Sequence, residues 1–116
     1  MARIKAINKL RDRIRFIEGD GLAVITQYQT QVNYAYFVDP PYTANGKGPG
    51  YRLYTFAEIN HEQLLTSLSQ VAGACFVTYH PAAPVKRIGK ELGFKISTTG
   101  MKTTHHVRRR ELILRK

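Results

Sequence analysis

Apolar residues change their spacing several times along the chain, and each change marks an element. Ile4, Ile7 and Leu10 recur every three residues, which predicts a short amphipathic helix at the start. Arg13-Ile14-Arg15-Phe16-Ile17-Glu18 alternates instead and then meets Gly19-Asp20-Gly21, predicting a strand that ends in a turn. Helical spacing returns at Leu22, Ile25 and Tyr28, before a polar break at Gln29-Thr30-Gln31. Tyr34-Ala35-Tyr36-Phe37-Val38 is nearly continuous apolar, the pattern of a parallel strand covered on both faces. It stops abruptly at Asp39-Pro40-Pro41-Tyr42, because proline lacks a backbone donor and resists both helix and central strand.

Residues 43–50 carry three glycines and a proline and read as a loop. Asn60-His61-Glu62-Gln63 has the form of a capping box, followed by Leu64, Leu65, Leu68 and Val71 and closed by Gly73. Ala74 to Tyr79 is a second buried strand. Pro84 suits a first helical turn, with Val85, Ile88 and Leu92 on one face and Gly93 as the stop. Phe94-Lys95-Ile96-Ser97 and Glu111-Leu112-Ile113-Leu114 are strands around a polar loop, so the chain closes on a hairpin. The order describes one α/β layered domain over residues 1–116, with a mostly parallel sheet. Ligands of such sheets bind beyond the carboxyl ends of the strands. Asp20, Asp39 and His80 each follow one of those predicted ends and are expected on one rim.

The length, 116 residues, supports a single core and too little chain for two. With 43% hydrophobic and 22% charged residues the composition is that of a globular domain. No apolar run approaches the roughly 20 residues of a membrane span, so no membrane partner is expected. The first residues do not lead into a signal-peptide core, and a lone cysteine, Cys75, cannot form an internal disulfide; a cytoplasmic location is the expectation. Charge adds more. Eighteen Lys and Arg against eight Asp and Glu give +10, and the basic residues crowd the ends: Arg3, Lys5, Lys9, Arg11, Arg13 and Arg15, then Lys102, Arg108, Arg109, Arg110, Arg115 and Lys116. A polyanion is the natural partner, since phosphate contacts dominate nucleic-acid affinity; a solvated basic surface explains either cluster alone equally well.

An Asp followed by two prolines has a specific chemical use. The prolines fix the chain so that a carbonyl and the carboxylate point the same way, offering two acceptors to one amino group. A nucleobase amino group is a poor nucleophile because its lone pair is delocalised into the ring. Gripping both hydrogens favours the tetrahedral nitrogen that can attack a methyl donor. The tyrosine that follows can stack on the base, a contact of roughly 1–3 kcal/mol, offsetting the few kcal/mol lost on flipping a base out of a duplex.

Asp39-Pro40-Pro41-Tyr42 after an apolar strand resembles the catalytic motif of the Dam-type N6-adenine DNA methyltransferases. Thr43, Gly46-Lys47, Gly50, Arg52-Leu53-Tyr54, His61, Gly73, Thr78-Tyr79, Gly93-Phe94, Met101-Lys102, Thr104-His105-His106 and Glu111-Leu112 extend the resemblance over nearly the whole chain. It implies a partial Rossmann-like methyltransferase fold dependent on S-adenosylmethionine, with its sheet ending in an antiparallel hairpin. It implies further that Asp39 and the Pro40 carbonyl hold the target amino group, that Pro41 stiffens the motif and that Tyr42 stacks on adenine. Glu18-Gly19-Asp20 is similar to the family's Gly-Asp element beside the cofactor's adenine, which makes Asp20 the cofactor-binding candidate. Lys47, Arg52, Lys102, His105, His106, Arg108, Arg109 and Arg110 become the candidates for DNA contact.

The family's Phe-x-Gly-x-Gly turn and its target-recognition segment do not occur among these 116 residues, so the chain looks like the C-terminal half of such an enzyme. Weak or absent cofactor binding is expected of it alone. Either the predicted strand before Asp20 fills the gap beside the strand before Asp39, or an open apolar edge is left for a second copy or a complementary N-terminal half to cover. A non-catalytic nucleic-acid-binding remnant and a guanine-N2 RNA methyltransferase fragment are the alternative functions. Asp20 is equally readable as a helix N-cap, Cys75 as an inert core residue, and His80 as a surface residue at a strand end. His105-His106 lacks the further ligands a metal needs.

Overall fold

A computed structural model describes residues 2–41, 59–102 and 108–116, with the side chains of Ala2, Met101, Lys102 and Arg108 left out. Helix α1 (Ala2–Asn8) and a 3-10 turn (Arg11–Arg13) precede α2 (Gly21–Tyr28), β1 (Tyr36–Val38), α3 (His61–Ser69), β2 (Cys75–Tyr79), α4 (Ala83–Glu91), β3 (Lys95–Lys102) and β4 (Arg108–Arg115). The strands form one sheet in the order β1-β2-β4-β3. β1 runs parallel to β2, pairing Tyr36 with Cys75, Phe37 with Phe76 and Val38 with Val77. β4 is antiparallel to both β2 and β3. The fold is therefore α/β with a mixed sheet.

Local chemistry explains the helix ends. The Asn60 side chain accepts from the Gln63 N–H at 3.0 Å and caps α3, while Pro84 sits in the first turn of α4. Gly93 ends the turn after α4 with φ +83°, a left-handed conformation that glycine adopts without a Cβ clash. The core lies on one face of the sheet: Ile25 of α2, Leu64, Leu65 and Leu68 of α3 and Val85 of α4 meet Cys75, Val77 and Tyr79 of β2 and Leu112 and Leu114 of β4. Strand alternation sends Phe37, Phe76 and Thr78 to the opposite face, where the Phe37 ring is 71% exposed.

Three expectations are corrected. Residues 13–18 form no strand; after the 3-10 turn the segment carries Ile14, Phe16 and Ile17 exposed, with no neighbour to supply ladder hydrogen bonds among the described residues. The sheet is not mostly parallel, because without that strand a single parallel pair remains and β4 separates β2 from β3. Nor does Gly73 stop a helix: α3 ends at Ser69, with Gln70 as its C-cap. Gly73 instead permits a close backbone approach, since a Cβ there would lie 1.7 Å from the Tyr34 carbonyl oxygen. The approach is stapled by Ala72 N–H to Gln29 O at 2.8 Å and Tyr36 N–H to Ala74 O at 2.9 Å. The outer edge of β1 faces no strand among the described residues.

Because the atom met at Gly73 belongs to backbone, Gly73→Ala must displace the segment leading into β1. Urea unfolding is expected to show a loss of about 2 kcal/mol or more; an unchanged midpoint would contradict this packing.

Candidate functional site

The register of β1 on β2 builds the site. Pairing Val38 with Val77 brings the next residues, Asp39 and Thr78, side by side at the carboxyl ends of two parallel strands. The Thr78 hydroxyl donates to Asp39 Oδ1 at 2.7 Å and lies 3.5 Å from the Val38 carbonyl. Asp39 itself is exposed, while Pro40 behind it is buried and Pro41 half-buried. A short donor on a carboxylate fixes its orientation, and the buried proline fixes the backbone from which it projects. An acceptor is thus presented outward on a stiff support. That suits a site that must grip a hydrogen-bond donor.

Beside it, Tyr79 is fully buried at the end of β2, and its phenol oxygen lies 3.0 Å from Nδ1 of His61, the first residue of α3. The rings meet edge to face, with centroids 5.5 Å apart. Burial pushes the Tyr79 phenol well above its ordinary range and lowers the His61 imidazole. Both shifts favour the neutral pair, joined by one hydrogen bond whose donor is set by the imidazole tautomer. The pair ties the start of α3 to the rim at which Asp39 sits. Cys75, in the core, is pushed up to about 11 by burial, which makes it a packing residue rather than a nucleophile.

The rim gathers some of the sequence candidates and leaves out others. Asp39 follows β1 and His80 follows β2, at the same end of the sheet. Among the described residues Asp20 follows no strand. It precedes α2, and its carboxylate accepts from the Leu22 N–H at 3.0 Å, an N-cap on a helix that no strand precedes. Arg109 and Arg110 are exposed on β4, opposite Met101 and Gly100 of β3. Because Tyr79 pairs with Leu112, these arginines extend past the end of β2, by about 10 Å for Arg109 at roughly 3.4 Å per residue. The β3–β4 ribbon therefore projects beyond the rim that carries Asp39, with the two arginines on opposite sides of it. The backbones of Lys102 and Arg108 pair at its far end. Tyr42, Lys47, Arg52, His105 and His106 lie outside the described residues.

Thr78 is the residue to which sequence reasoning assigned no role. The available signal was a hydroxyl inside an otherwise apolar strand, since a buried polar side chain requires a partner. Among the described residues no group of three His, Cys, Asp or Glu could hold a metal ion, and no helix is long and apolar enough to cross a membrane. No protein-family model matches the chain, and no curated protein matches it.

The lowered His61 carries a pH signature. The unfolded chain takes up this proton near pH 6.5, whereas the folded chain resists it to lower pH. Stability from this group is complete above about pH 6.5 and falls as pH drops from there through the folded value, because the unfolded state binds more protons. In urea titrations from pH 7.5 to pH 5, His61→Gln is expected to flatten this loss. Parallel wild-type and variant curves would refute the assignment.

Proposed function

We propose that this chain is the base-holding, catalytic portion of an adenine-N6 DNA methyltransferase, acting on DNA together with a polypeptide that holds the methyl donor. The observation that carries the reading is the Asp39 carboxylate, oriented by Thr78 at 2.7 Å and backed by buried Pro40 at the end of a parallel strand. In this reading Asp39 and the Pro40 carbonyl accept the two hydrogens of the adenine amino group. They draw its lone pair out of conjugation and stabilise the positive charge that develops on nitrogen as the N–C bond forms and the donor's methyl–sulfur bond breaks to leave a neutral thioether. The amino proton then passes to the Asp39 carboxylate or to water. Stabilising charge where it develops is where such a group contributes most. S-adenosylmethionine would supply the electrophilic methyl group.

Asp20, the residue the resemblance assigns to that donor, serves as the N-cap of α2, and the Phe-x-Gly-x-Gly turn does not occur in the sequence. The donor is therefore assigned to a second polypeptide, and the isolated chain is expected to bind it weakly or not at all. The basic β3–β4 ribbon, carrying exposed Arg109 and Arg110 past the rim, would lie along DNA phosphates and position the base without reading sequence.

The test is transfer of labelled methyl from S-adenosylmethionine to duplex DNA, with a methyltransferase N-terminal half that carries the glycine turn added to this chain. Activity is expected only with both polypeptides, and Asp39→Ala is expected to lower the rate by about 100-fold or more. No transfer by any combination, or an Asp39→Ala variant as active as wild type, would overturn the reading. Calorimetric binding of S-adenosylmethionine to the chain alone with micromolar affinity would overturn the division of labour.

A further inference from the structure

The face of the sheet opposite the core carries an arrangement that the Asp39 site does not use. One cross-strand row runs through all four strands, because Phe37 pairs with Phe76, Phe76 with Arg115, and Arg115 with Lys95. Paired residues project to the same face, so the row reads aromatic, aromatic, cation, cation. The two rings are stacked, with centroids 5.7 Å apart and planes 16° from parallel. Phe37 is 71% exposed, and Arg115 and Lys95 are exposed. With strands about 4.8 Å apart, the row spans about 14 Å, the scale on which a base and its neighbouring phosphates present an aromatic face and negative charge. Along the strands, Asp39 and Thr78 lie two residues from Phe37 and Phe76 on this same face, about 7 Å away. Among the described residues the face also holds an acid, Glu111, four residues from Arg115.

We infer that this open face is a stacking platform for single-stranded or unpaired nucleic acid, with Phe37 and Phe76 taking a base and Arg115 and Lys95 the adjacent phosphates. The inference rests on the nucleic-acid reading above for the class of partner, and adds a site to it. Phe37 and Phe76, stacked on each other, form one contiguous aromatic patch on this face rather than a single exposed ring. The charge around it selects a polyanion: Arg115 and Lys95 in the row, and Arg109 further along β4, are three cations against two acids, Glu111 and Asp39, on a chain of net charge +10. A second copy of so basic a chain would bring like charges together. Duplex DNA keeps its base faces stacked and unavailable, whereas a single strand offers them to an aromatic ring. The platform would then hold the nucleotide beside one presented to Asp39.

Fluorescence anisotropy with a labelled oligodeoxyadenylate of about ten nucleotides, within the roughly 4–16 that one such groove holds, tests this directly. The full chain is compared on that strand and on a duplex of the same sequence. Phe37→Ala removes an exposed ring, so the fold is expected to persist, with circular dichroism as the check. It should weaken single-strand binding by about 5- to 150-fold, the equivalent of one base stack removed. The salt slope and the duplex affinity should be unchanged, and Phe37→Trp should retain binding. Arg115→Gln with Lys95→Gln should instead reduce the slope by about 0.7 for each phosphate no longer neutralised. The anisotropy is read with no methyl donor and no second polypeptide present, so failure of methyl transfer and failure of the platform are read separately. Unchanged single-strand affinity in Phe37→Ala, or an equal loss on duplex, would overturn the inference. So would sedimentation showing a wild-type dimer that Phe37→Ala dissociates, which would make this face an interface between copies.

Discussion

The parallel pairing of β1 on β2 is the constraint from which the rest of the molecule follows. Only three residues of β1 take part, yet their register decides which side chains face the core, which face the open side and what stands at the rim. A slip of one residue would turn Phe37 into the core and lift Tyr36 and Val38 out of it. The register is held from both sides. Upstream, Gly73 lets the backbone before β2 press against Tyr34, and Tyr36 bonds to Ala74. Downstream, the Thr78 hydroxyl closes on Asp39. A packing requirement and a polar contact therefore select the same alignment, and agreement between levels of this kind specifies a single structure.

That alignment also separates two kinds of chemistry. On the core side, burial raises the Tyr79 phenol, lowers His61 and keeps both neutral, so the interior next to the rim holds no charge from this pair. On the open side, Asp39 stands at the end of β1 while cations occupy β3 and β4. A polyanion drawn to the basic strands would meet a carboxylate where the sheet ends. A negative group there repels phosphate but accepts hydrogen bonds from a base, a division that suits holding a nucleotide by its amino group. The proposed function and the proposed platform both depend on this geometry.

Much of the fold was legible because its signals are local. Asn60 three residues before Gln63, Pro84 ahead of an apolar stripe, and Gly93 after it mark helix ends by backbone chemistry that tertiary context did not override. The run after Gly73 became a strand because it is apolar enough to be buried, whereas the run before Asp39 became a strand covered on one face only, with Phe37 71% exposed, and not on both faces as its apolar run suggested. The segment from Arg13 to Glu18 has the correct alternation for a strand and none of its partners, since pairing is a property of two segments and periodicity describes one. The same limit hid the sheet's mixed direction. Asp39 was legible as a strand-end acid, but Thr78, nearly 40 residues on, becomes its partner only through the register. Asp20 has the same sequence appearance as Asp39, an acid after an apolar run. It is a helix cap because the run before it joins no sheet.

Site and platform alike stand on the register, and isotope-edited nuclear Overhauser spectroscopy in solution measures it directly. The expected result is contacts between the Phe37 and Phe76 rings and between the Val38 and Val77 methyls, together with proximity of the Thr78 side chain to the Asp39 methylene. Contacts displaced by two residues, with Phe37 against Thr78 and Asp39 beyond reach of it, would contradict it.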